Sequence, residues 1–124
     1  MIAGVDRETT AESQQLEGGV PLSRIQAYCR EIAAKFDPEK IILFGSHACG
    51  RPGSDSDVDL LVVMEFDGRS VDKAYEIRRS TGSPFPTDLL VRRPSELYRR
   101  IALGDSFLKE IVENGKELYE RSRS

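Results

Sequence analysis

Apolar residues at Leu22, Ile25, Cys29, Ile32, Ala33 and Phe36 recur at helical spacing, and Asp37-Pro38 stops the pattern, which predicts a helix with one buried stripe. Lys40 to Phe44 then reads as a short buried strand. Val58 to Met64 reads as a second, whose near-continuous apolar run suits a central place in a sheet. Asp67-Gly68 marks a turn, and Val71 to Arg79 predicts a helix that ends before Gly82. Pro84 and Pro86 force an extended approach to Asp88-Leu89-Leu90-Val91, a third strand with an acid at its start. Leu97 and Ile101, then the stripe Phe107, Leu108, Ile111 and Val112 closing at Gly115, predict two short helices; Glu117-Leu118-Tyr119 adds a last edge strand. Residues 1–19 are rich in Glu, Thr, Ser and Gln without apolar periodicity and read as a disordered tail, leaving 20–121 as the folded domain.

Composition narrows the classes. A chain of 124 residues makes one domain that buries about two-thirds of the surface its unfolded form exposes, enough for an ordinary core. A net charge of −3, with charges spread along the chain, argues against nucleic acid or an anionic membrane as the main partner. Cys29 and Cys49 lack the spacing of a zinc or redox motif, and a disulfide is not expected. The N-terminus has neither the basic region nor the apolar core of a signal peptide. No stretch approaches a membrane span, so the chain reads as cytoplasmic.

The chemistry concentrates in one segment. Between the first two strands lies a polar connection that opens with Gly45-Ser46 and closes, ten residues later, on Asp57-Val58-Asp59. Gly45 allows a tight turn after a strand, and Ser46 can present both a backbone N–H and a hydroxyl to phosphate oxygens, above all if a short helix begins there. Residues two apart on a strand project from one face, so Asp57 and Asp59 point the same way. Two carboxylates so placed repel each other unless a cation lies between them, and Mg²⁺, which prefers oxygen ligands and completes its shell with water and substrate phosphates, suits the pair. Asp88 can supply a third carboxylate that binds metal or takes a proton from an attacking hydroxyl.

Competing motifs fail on particular residues. Gly45-x4-Gly50 begins like a P-loop, but Arg51-Pro52 stands where the Lys and Ser/Thr belong. Asp55, Asp57 and Asp59 imitate the first ligands of an EF-hand, yet Leu60 replaces its glycine and Phe66 its final glutamate. His47, the only histidine, reads as a surface residue and not as a base. Ser56 fits either a phosphate contact or a bond within the loop, and Asp55 a side-chain turn. Arg92, Arg93, Arg99 and Arg100 read as solvating residues of an exposed face.

With these residues in hand, the segment resembles the GS-x10-DxD pattern of the minimal nucleotidyltransferases in the DNA polymerase β superfamily; Ala48, Gly50, the Ser56-Asp57 step and Leu60 agree with its extended form. Thr87 to Val91 is similar to the strand bearing the family's third acid, and the resemblance spans about Pro21 to Arg121. It implies an α/β nucleotidyltransferase fold, a mixed sheet with helices packed mainly on one face. The implied reaction moves a nucleoside monophosphate from ATP or another NTP to a hydroxyl, with pyrophosphate leaving and two Mg²⁺ ions assisting. By the same resemblance, Asp57, Asp59 and Asp88 are the catalytic and metal-binding acids, and Gly45, Ser46 and Ser56 lie at the phosphates. Small members of this kind are often antitoxins paired with a helical HEPN-type toxin, which some modify by adding AMP to a tyrosine. The resemblance therefore implies a partner protein as acceptor. The alternatives are a small-molecule nucleotidyltransferase completed by a second subunit and a non-catalytic antitoxin that acts by contact.

Overall fold

The computed structural model describes residues 19–53 and 55–122; apart from Gly19, the expected tail lies outside the described residues. In chain order the elements are α1 (Leu22–Phe36), β1 (Lys40–Phe44), α2 (Ser46–Cys49), β2 (Val58–Val63) and α3 (Ser70–Thr81), then β3 (Thr87–Arg92), α4 (Pro94–Ala102), α5 (Ser106–Asn114) and β4 (Lys116–Glu120). The four strands form one sheet in the order β3-β2-β1-β4. β1 pairs antiparallel with both β2 and β4, whereas β2 pairs parallel with β3 through the α3 crossover. The sheet is mixed, as expected.

Alternation along the strands divides the interior in two. Ile41, Leu43, Val58, Leu60, Val62, Leu89 and Val91 face the larger core, where Ile25, Tyr28, Cys29 and Ile32 of α1 and Ile77 of α3 cover them. Ile42, Leu61 and Val63 face the other way, against Leu97 of α4 and Leu108 and Ile111 of α5. The two longer helices thus cover the main face, and the two nine-residue helices fill a smaller second core. β2 is buried at every position except Asp59, which explains its unbroken apolar reading. Each of its fully buried Leu and Val side chains contributes about 1.5–3 kcal/mol of transfer free energy.

Caps set the element ends. Asp37 ends α1 in the left-handed region at φ 49°, its N–H donating to the Ala33 carbonyl. Asp105 starts α5 by accepting the Leu108 N–H at 3.0 Å. Among the described residues no helix is long and apolar enough to cross a membrane. Both cysteines are free: Cys29 is buried and Cys49 exposed. Burial pushes the Cys29 thiol up to about 12, so alkylation of the native protein is expected at Cys49 and not at Cys29, which peptide mass mapping will check.

Candidate active site

The sheet register builds the site. Phe44, the last residue of β1, pairs with Asp59 of β2, and Asp59 pairs with Asp88 of β3. Phe44, Asp59 and Asp88 therefore form one row across three strands, on the face of the smaller core and beyond the apolar residues of that core. Adjacent strands lie about 4.8 Å apart, so the two carboxylates of the row are close neighbours. Asp57 lies just before β2 and is exposed; Asp88 is exposed and Asp59 half-buried. Among the described residues no three His, Cys, Asp or Glu side chains converge as a group that could hold a metal ion. Asp57 and Asp88 are nevertheless near enough to Asp59 for their charges to act on it.

Electrostatics marks Asp59 as the centre of this group. Its carboxyl is raised above the ordinary aspartate value, first by burial and then by the negative charges of Asp88 and Asp57, with His47 opposing. A hard cation relieves this destabilisation, and the donor set is all oxygen, so the residues present fit Mg²⁺.

Gly45 follows Phe44 and closes the corner. Its backbone sits at φ 77°, ψ −156°, a region essentially restricted to glycine, and a Cβ there would run into the Asp59 carboxylate, with Cγ only 3.1 Å away. The phosphate-type turn thus presses directly on the central acid. Gly45→Ala is expected to destabilise the fold by about 1–3 kcal/mol and to weaken nucleotide binding, measured by denaturant unfolding and by titration.

Ser46 begins the single-turn helix α2 and is half-buried. Ser56 takes the loop option left open by its sequence: its Oγ accepts the Gly53 N–H at 2.8 Å, and its own hydroxyl proton stays free to donate. Asp55 is exposed in the turn. Beside Gly45 a groove of about 240 Å³ opens between α2 and α5, lined by Ala48, Cys49, Phe107 and Ile111 among others. At its wall Phe44 packs edge-on against Phe107, with ring centroids 5.9 Å apart.

Several features escaped sequence reasoning. His47 is not a surface residue: it is 7% exposed, because Gly19 and Val20 lie across it and Val20 N–H donates to its Nε2 at 3.1 Å. Arg93 does not merely solvate a face; its guanidinium stacks over Phe66 at 4.1 Å and donates to the carbonyls of Phe66 at 3.0 Å and Gly68 at 2.6 Å. Arg78 of α3 donates to the Thr87 carbonyl at 2.6 Å, which pins the start of β3 one residue before Asp88. The sequence carried no sign of this role of Arg78, since the bond joins residues on separate elements. Phe107, read as part of an apolar stripe, is 56% exposed and stands at the groove wall against Phe44.

With this geometry described, the comparisons with known proteins are informative. Residues 28–124 match the family model of the polymerase beta nucleotidyltransferases. No curated protein sequence matches the chain at a significant level. Among solved structures, the chain is similar to a candidate nucleotidyltransferase from Sulfolobus solfataricus, with TM-score 0.58 and 23% identity over 81% of this chain and 80% of that one. It is also similar to a chain of a toxin–antitoxin structure with AMP-PNP, with TM-score 0.51 and 20% identity over 78% of this chain and 74% of that one. At these identities the likeness establishes the shared fold.

Proposed function

Since this chain belongs to the polymerase β nucleotidyltransferase family, we propose that it transfers a nucleoside monophosphate, AMP in the first instance, from an NTP to a hydroxyl of a partner protein. The observation that carries the reading is the row Phe44–Asp59–Asp88 with the Gly45 turn seated on Asp59. The Gly45-Ser46 turn and two acids lie together at the strand ends, which supports the reading because phosphoryl transfer needs positioning and charge control.

In this reading the Ser46 N–H and hydroxyl, with the hydroxyl of Ser56, orient the NTP phosphates, and the glycine keeps side-chain bulk from that approach. Asp57, Asp59 and Asp88 would hold Mg²⁺, which when bound would offset the negative charge that builds up on the reacting phosphate. The acceptor oxygen attacks the α-phosphorus, the new O–P bond forms, and the bond to pyrophosphate breaks. Asp88, exposed and at the open side of the row, receives the proton that the acceptor hydroxyl loses. Arg78, by holding the Thr87 carbonyl, fixes the position from which Asp88 does so.

Asp88 is exposed on a strand at the edge of the described sheet, and this supports an acceptor supplied by a second chain. The likeness to a chain from a toxin–antitoxin structure is in keeping with that, and a tyrosine on a helical, HEPN-type toxin satisfies the chemistry. The test is incubation of the purified chain with its co-purifying partner and labelled ATP, with and without Mg²⁺, followed by mass analysis. AMP on the partner only when Mg²⁺ is present is the expected result. Binding of the partner with no AMP added would turn the reading towards an antitoxin that acts by contact. Efficient transfer to a small molecule by the chain alone would remove the protein acceptor and keep the reaction.

Arg78→Ala is expected to lower turnover by about tenfold with little change in nucleotide affinity, because it frees the strand end that carries the proton acceptor; the loss of one charge-assisted hydrogen bond sets that scale. Steady-state kinetics with the partner as acceptor will show the split.

A further inference from the structure

His47 takes no part in the transfer described above, yet it is the only buried residue of α2. A helix of one turn cannot hold itself, because helix nucleation is unfavourable and few backbone bonds reward it. Here those bonds are Ala48 N–H and Cys49 N–H to the Gly45 carbonyl, at 3.1 and 3.2 Å, and Gly50 N–H and Arg51 N–H to the Ser46 carbonyl, the latter at 3.0 Å. They close the turn on itself; how the turn sits against the sheet, and with it the direction in which Ser46 faces, depends also on what grips His47, its one buried side chain.

The grip comes from Gly19 and Val20. Val20 N–H donates to His47 Nε2, so Nε2 carries no proton and the neutral ring keeps its proton on Nδ1. Among the described residues that Nδ1–H is buried without a partner, which costs free energy that a merely space-filling ring would avoid. Gly19 lies at φ 111°, and a Cβ on it would come within 2.7 Å of His47 Nε2 and 2.8 Å of Pro52 Cβ. A short strap of backbone thus crosses both sides of the connection between β1 and β2 at contact distance.

We propose that His47 and the Gly19–Val20 strap are a positioning unit for the nucleotide: the strap fixes the imidazole in its Nδ1–H tautomer, and the imidazole fixes the α2 turn that presents Ser46 to the phosphates. This rests on the nucleotide reading of the Gly45–Ser46 corner. His47 touches neither phosphate nor acceptor; it acts through α2. The consequence is a specific kinetic signature, weaker NTP binding with the chemical step preserved.

His47→Leu keeps apolar bulk and removes the acceptor, while His47→Gln offers Oε1 near the place of Nε2. His47→Leu is expected to raise KM for the NTP about tenfold, the scale of one hydrogen bond, with kcat within about threefold. His47→Gln should return KM to near the wild-type value. Gly19→Ala, whose added methyl would push the strap off the His47 ring while leaving the imidazole in place, should reproduce the Leu phenotype. Because the chain has one histidine, ¹⁵N spectra show a single imidazole; the Nδ1–H tautomer is expected in the wild type and a tautomer mixture in Gly19→Ala. An Nε2–H tautomer in the wild type overturns the proposal. So does wild-type KM in both His47→Leu and Gly19→Ala, even if their melting temperatures fall, since the unit would then serve stability alone. If the wild-type protein binds no NTP with Mg²⁺, the nucleotide reading fails and this proposal with it, whereas NTP binding that ignores the strap variants removes this proposal only.

Discussion

Asp59→Asn is expected to bring Mg²⁺-dependent transfer down by at least about 10²- to 10³-fold, the scale of losing one preorganised charge at the reacting phosphate. Asp57→Asn should act in the same direction. Either change keeps the size of the side chain and removes the charge that holds the cation, so NTP affinity in Mg²⁺ should fall too, as read by titration. Asp59 carries a second, opposite expectation. Its carboxyl is raised in the folded state by burial and by Asp88 and Asp57. A raised folded value means that ionisation opposes folding. The destabilisation is absent at pH below the unfolded aspartate value and present in full at pH above the raised folded one. At neutral pH without divalent ions, Asp59→Asn should therefore melt higher than the wild type, and added Mg²⁺ should stabilise the wild type more than the variant. Unchanged affinity and activity in both the Asp57 and Asp59 variants would sink the metal assignment; a lower melting temperature for Asp59→Asn without Mg²⁺ would refute the electrostatic account.

Asp88→Asn separates the third acid from the pair. If Asp88 takes the acceptor proton, the substitution should cost about 10²- to 10⁴-fold in turnover, the usual range for losing a general base, with NTP affinity changed much less. The distinction follows from position. Asp59 sits between the Gly45 turn and Asp88, whereas Asp88 sits at the outer end of the row. Transfer by Asp88→Asn at wild-type speed would show that another acid, Asp55 being the nearest candidate in sequence, serves instead.

The parts of this molecule that could be read from sequence are those in which chemistry imposes local spacing. The β1 run, the Gly45-Ser46 turn and the Asp57-x-Asp59 pair lie within 20 residues, and their polar residues stand out between apolar strands. The helices α1, α3, α4 and α5 followed from periodicity and stop signals, and the structure bears them out with ends shifted by one or two residues. What could not be read depends on pairing between distant segments. That Asp88 stands opposite Asp59, and Phe44 opposite the same residue, is a matter of register, which a single sequence leaves open. The burial of His47 depends on a segment 27 residues earlier, and a polar residue in a Gly- and Pro-rich connection carries no mark of such a cover. Arg93 escaped for the same reason, since Phe66 and Gly68 reach it across a loop.

Among the described residues β3 is an edge strand, with β2 on one side and no strand on the other. The acid row therefore ends at an open margin of the sheet. A side chain carried on a large surface can reach Asp88 from that margin without the site having to open a lid. The same openness admits water, which is an acceptor hydroxyl in its own right and is excluded only by whatever covers the site. In such an architecture, discrimination between productive transfer and wasteful hydrolysis of the NTP rests with the fit of the incoming surface and not with the walls of the site.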